Sequence, residues 1–235
     1  MPQLQLVKCI CHSLHLCASA AAKELPSSLD FLLRESRNWF AHSPLRLSLY
    51  DSLYAAINDG AACKKLIQMS KTRWLVFSAV VKGTLDQWIE LKTHFSIMSQ
   101  NKDDKCHMAR VLSEMYNDNS NLLYLTFLKP ILEEVARVNT LFQSESANVL
   151  EIFKETHTLL LTLARRILKP AYLKVSNERF LEPVDFQCLK TALREDKAYL
   201  GINDVDYGVD FEKVGNEKTF ELLCLHFGNK KLKIK

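Results

Sequence analysis

Cys9-Ile10-Cys11-His12-Ser13-Leu14-His15-Leu16-Cys17 gathers three thiols and two imidazoles into one short segment. These are ligands that zinc takes, and four of them must converge tetrahedrally. Cys9 with His12, and Cys11 with His15, are each spaced three apart, so either pair fits one helical turn as a chelate. Cys9 and Cys11 point to different faces if the segment is helical. Cys63, Cys106, His107 and His226 stand elsewhere without finger spacing. The expectation is therefore reduced thiols with core or surface histidines, and no metal is assigned.

The second grouping is Lys71-Thr72-Arg73-Trp74. Arginine grips phosphate through a planar fork, and an indole stacks on an unpaired base, so a cation beside an aromatic at a helix start suits nucleic acid. Spacing alone places Trp74 in the core, in phase with Phe77 and Val81. The chain has no G-x-x-x-x-G-K-[ST] phosphate loop, G-x-G-x-x-G, G-x-S-x-G, H-E-x-x-H or paired CxxC. Asp103-Asp104 and Glu133-Glu134 fall at expected caps or on a solvated face, and no carboxylate set converges as a two-metal nuclease requires.

The elements that must carry these residues read as long helices. Residues 9–25 form one, ended by Pro26, with Ser27 or Ser28 capping the next over 29–41. Ser43-Pro44 is a stop followed by a first-turn proline, and the helix after it, about 45–58, ends at Asp59-Gly60. Ala61 to Met69 reads as a short strand or a helical turn. From Trp74 the apolar positions Phe77, Val81, Leu85, Trp88, Leu91 and Phe95 predict one helix to about Ser99. Asn101–Asp104 and Asn117–Asn121 are polar breaks around a helix that Asp103 or Asp104 caps. Residues 122–143, with Pro130 able to kink or divide them, and 147–169 form a helical hairpin. Beyond Pro170 the pattern loosens. Asn203–Gly215 is acidic and irregular, 217–227 is one more short helix, and the lysine-rich tail is a solvated end.

Composition agrees with few connections. Among 235 residues there are six glycines and six prolines, well under the average share of about 12%, which argues against a many-stranded sandwich, barrel or propeller. The net charge of +4 permits nucleic-acid contact without demanding it. Seven cysteines, an odd number in a chain too large to need staples, fit reduced thiols in the nucleus or cytoplasm. The first 22 residues imitate a secretion signal, but nothing basic precedes Lys8, and Lys8, His12 and His15 interrupt the apolar run. No run of about 18 apolar residues appears, so no membrane span is expected.

The Cys9–Cys17 phrase, continued as CHSLHLCASAAAKELP, resembles the C-x-x-H segment of hAT-superfamily transposases, and especially of transposon-derived zinc-finger BED-type and SCAN-type vertebrate proteins. SKTRWLVFSAVV resembles the Arg-Trp signature of the same superfamily, and the 120–169 helices and Tyr199-Leu200-Gly201 are also similar. The resemblance implies a mainly α chain: the helical insertion domain of a ribonuclease-H-like transposase with a truncated remnant of the α/β core. Its expected divisions are 1–70 for the core remnant and lead-in helices, 71–200 for the insertion domain, and 201–235 for the irregular acidic loop, short helix and basic tail.

By the same resemblance Cys9 and His12 match the C-x-x-H pair, and Arg73 and Trp74 match the Arg-Trp pair that handles an unpaired base at a cleaved DNA end. The family cuts DNA with two aspartates before the C-x-x-H segment and a glutamate after the insertion domain. None of these matches a position here, so a non-catalytic protein is expected, with no cofactor. Magnesium or manganese belongs only to an intact member. The implied partners are DNA or another protein, with no membrane, small-molecule substrate or stable oligomer, and the implied location is nuclear or cytoplasmic, not secreted. Two alternatives stay open: a fragment of an active transposase, and a plain helical interaction protein without nucleic-acid affinity.

Overall fold

The computed structural model describes residues 9–69, 74–100, 107–145, 148–173 and 186–214. Within them the chain is mainly α, as the helical periodicity predicts, and the β-type pairing among the described residues is one isolated bridge. No described helix is long and apolar enough to cross a membrane. Contacts divide the chain into two compact units, Met1–Leu132 and Glu133–Lys235.

The first unit opens with α1 (Ile10–Ala22), α2 (Ser27–Ala41) and α3 (Pro44–Ile57). Pro26 itself is the N-cap of α2, and Ser27 is the first helical residue. This corrects the predicted serine cap: the Pro26 carbonyl accepts from the Leu29 backbone N–H at 3.0 Å, while proline in the preceding helix would lack a donor. Ser43 caps α3 as expected, its hydroxyl accepting from the Arg46 backbone N–H at 3.3 Å ahead of Pro44. Asp59 and Gly60 end the helix with φ of 52° and 85°, the left-handed region that glycine enters without steric cost. Residues 61–69 then run irregularly, neither strand nor helical turn.

The single helix predicted over 74–99 is two, α4 (Trp74–Leu85) and α5 (Trp88–Gln100). Gln87 breaks it. Its backbone N–H turns to the Thr84 carbonyl at 3.3 Å. Its side-chain amide donates to the Gly83 carbonyl, at 3.1 Å, that its own backbone would otherwise take. The side-chain carbonyl of Gln87 accepts from the Tyr50 hydroxyl at 3.2 Å. A buried amide thus replaces one rung of the ladder and ties the break to α3.

After the break come α6 (His107–Asn117) and α7 (Asn119–Phe142). The polar break predicted at 117–121 shrinks to Asp118. Its carboxylate accepts from the Ser120 N–H at 2.9 Å, and the Asn121 amide donates to the Met115 carbonyl at the end of α6, also at 2.9 Å. Pro130 lies inside α7 without dividing it. The expected breaks and caps at 101–104 and the helix at 217–227 lie outside the described residues.

The core of the first unit is aromatic. Tyr116 stacks on Phe95, with ring centroids 5.4 Å apart, and leans on Trp88 at 4.7 Å. Phe40 meets Tyr50 at 4.9 Å, and Trp39 meets Phe95 edge-on at 5.7 Å. Such pairs add roughly 0.5–1.5 kcal/mol each beyond burial. α5 packs on α6 and α3, α2 on α3, α4 and α6, and α1 on α4.

The second unit takes the end of α7, then α8 (Val149–Ile167), α9 (Pro170–Leu173), α10 (Phe186–Ala192), 3-10 turns at Asp196–Ala198 and Ile202–Asp204, and α11 (Val209–Val214). Asn148 caps α8, accepting from the Glu151 N–H at 2.8 Å. Arg137, near the end of α7, bonds Glu155, near the start of α8, at 2.7 Å. Leu161, Ala164, Leu168, Leu173, Leu189, Ala192 and Ala198 form its core. Leu168 and Tyr199 face each other as an antiparallel bridge.

Candidate nucleic-acid interface

Cys9 stands at the N-cap of α1 and His12 one turn on, both exposed. The backbone N–H of His12 at this helix start holds the Cys9 thiol below its ordinary pKa. Cys11 is half-buried, and burial, followed by the neighbouring Cys9, pushes its thiol up. The rings of His12 and His15 lie 6.4 Å apart, and His15 Nε2 sits 3.5 Å from the Ser19 hydroxyl. Among the described residues no three histidine, cysteine or acidic side chains gather as a metal ion would require.

Trp74 is the first residue of α4. Arg73 lies outside the described residues. The helix carrying Cys9 and His12 packs against the helix that Trp74 opens. Cys9–Cys17 and Trp74 are far apart in sequence yet belong to touching elements.

A half-open cleft of about 430 Å³ lies beside α2 and α3 and is closed on one side by the irregular 61–69 segment. Arg37, Phe40 and Ala41 come from α2, and Leu47, Tyr50 and Asp51 from α3. Cys63, Lys64, Lys65 and Leu66 come from the segment after the Asp59-Gly60 turn. The Cys63 thiol donates to Asp51 Oδ1 at 2.6 Å. Burial, then that carboxylate, raises its pKa to about 11, so the sulfur is a neutral wall group at physiological pH and not a nucleophile. Lys64 reaches Asp86 at 3.7 Å through exposed side chains. Arg37 and Lys65 have neither hydrogen-bond nor ion-pair partners among the described residues.

Two cleft residues, Phe40 and Tyr50, meet the ring of His94, which belongs to a polar cluster that residue types and spacing do not reveal. The Trp39 indole N–H donates to His94 Nε2 at 3.1 Å, and the Arg46 guanidinium sits 3.6 Å over the Trp39 ring. Burial, and then the Arg46 charge, lower the His94 pKa to about 4, so the ring is neutral and its Nε2 is the acceptor. Ser36 and Tyr116 share a hydrogen bond at 2.8 Å, and Asn58 donates to Glu90 at 2.9 Å. These groups hold α2, α3, α5 and α6 in register. Lys64-Lys65 beside Cys63 was the available sequence signal for the cleft, and it is weak because it needs Arg37 from another helix.

Compared with protein-family models, with curated proteins and with solved structures, the chain matches none of them.

Proposed function

We propose that this chain is a non-catalytic, hAT-transposase-derived protein that binds DNA. In this reading its helices correspond to the insertion domain beside a remnant of a ribonuclease-H-like core. Arg73 and Trp74 meet the DNA, one forking a phosphate and the other stacking on an unpaired base. Cys9 and His12 support that surface, and neither magnesium nor manganese takes part. The protein then works in the nucleus. The observation that carries the reading is the packing of α1, which bears the C-x-x-H pair, against α4, which Trp74 opens.

The test is fluorescence anisotropy of the whole chain with single-stranded and hairpin DNA over a salt series. Binding should weaken linearly in log–log form as salt rises. Trp74→Ala should weaken it roughly tenfold, the value of one lost stacked base, with the melting temperature unchanged. DNA incubated with magnesium or manganese should stay intact. Chelator-sensitive cleavage would instead identify an active transposase.

A helical protein-interaction module is the second reading. Val149, Leu150 and Phe153, exposed by 80%, 74% and 51% on the first turns of α8, favour it. An absence of DNA binding at low salt would select it over the first.

A further inference from the structure

We infer that the cleft formed by α2, α3 and residues 63–66 is a nucleotide-binding site, with Arg37 and Lys65 taking the phosphate and the apolar wall taking the base. This rests on the nucleic-acid reading above only for the source of the nucleotide.

The volume of about 430 Å³ falls within the roughly 300–1,000 Å³ common for small-ligand sites. Arg37, Lys64 and Lys65 line the cleft with one carboxylate, Asp51, which already accepts from the Cys63 thiol, and Lys64 is paired with Asp86 outside the lining. The thiol is neutral, so it adds no negative charge to the wall. Arg37 and Lys65 spend nothing on other described side chains, which leaves an arginine fork and an ammonium available for phosphate oxygens. Tyr50 contributes its ring but not its hydroxyl, which is committed to Gln87.

Leu47 and Leu66 make the wall that a flat ring would cover. Inorganic phosphate would satisfy the cations and leave that wall wet. An aliphatic carboxylate would cover the wall and use only one charge. A nucleotide does both, and a half-open cleft lets its sugar continue into a strand or end in solvent.

The experiment is titration calorimetry of the whole chain with AMP, inorganic phosphate and a short oligothymidylate, alongside amide chemical-shift mapping. AMP should bind more tightly than phosphate, and the shifts should centre on residues 37–51 and 63–66. Arg37→Gln should weaken AMP about tenfold, the value of one charge-assisted hydrogen bond. Lys65→Gln, at an exposed position, should weaken it several-fold with melting unchanged.

Equal binding of AMP and phosphate, no effect of either variant, no AMP binding, or shifts placed elsewhere would overturn the site. Oligothymidylate binding that ignores Arg37→Gln and Lys65→Gln but fails in Trp74→Ala would remove the cleft and keep the DNA reading. AMP binding that both variants weaken, without oligothymidylate binding, would keep the cleft as a free-nucleotide site and remove the DNA reading.

Discussion

His94 is 2% exposed and accepts a hydrogen bond from Trp39. Protonating it would place a second N–H against the indole N–H and a second cation near Arg46. Burial first, and then the Arg46 charge, lower its pKa to about 4 in the folded chain against 6.5 ordinarily. Between those values the unfolded chain binds more protons, so the stability that neutral His94 contributes is present above about pH 6.5 and is lost as pH falls toward 4. A difference of that size is worth about 3 kcal/mol. Urea unfolding of wild type and His94→Gln should show the wild type losing about 2.4 kcal/mol more stability between pH about 7 and about 4.5. Parallel pH profiles would mean that His94 does not carry the effect. At this scale the sequence reveals residue types but few partnerships. Cys9 and His12 are legible because their spacing is local, whereas Trp39 meets His94, and Cys63 meets Asp51, only through the packing of separate elements.

Helices were the most legible elements, because apolar spacing, Ser43-Pro44 and Asp59-Gly60 act locally. The break at Gln87 was not. A glutamine in an apolar run gives no warning that its amide will take the place of a backbone donor. Gln87→Ala should leave the Tyr50 hydroxyl and the Gly83 carbonyl without their partners, at about 1–3 kcal/mol each. Denaturant unfolding should register a total of about 2–6 kcal/mol. A loss under about 1 kcal/mol would mean that neighbouring helices set the break without this side chain. The cleft was legible only as the Lys64-Lys65 pair, since Arg37 and Leu47 reach it from elements that precede the turn. Arg73 was legible by type, but its setting lies outside the described residues.

Two compact units imply more than one cooperative transition. All three tryptophans, at 39, 74 and 88, belong to the first unit. Tryptophan emission therefore follows that unit, while far-ultraviolet dichroism follows helices of both. The two denaturation curves should not coincide, and coincidence at every denaturant concentration would show the chain unfolding as one. The division itself falls inside α7, between Leu132 and Glu133, about half a turn beyond Pro130. Leu128 and Leu132 are buried before it, and Val138 after it. Anyone trimming the gene to obtain either half should keep this helix whole. A cut at the contact boundary would strip the leading half of its last turns and give the trailing half a new, uncapped beginning.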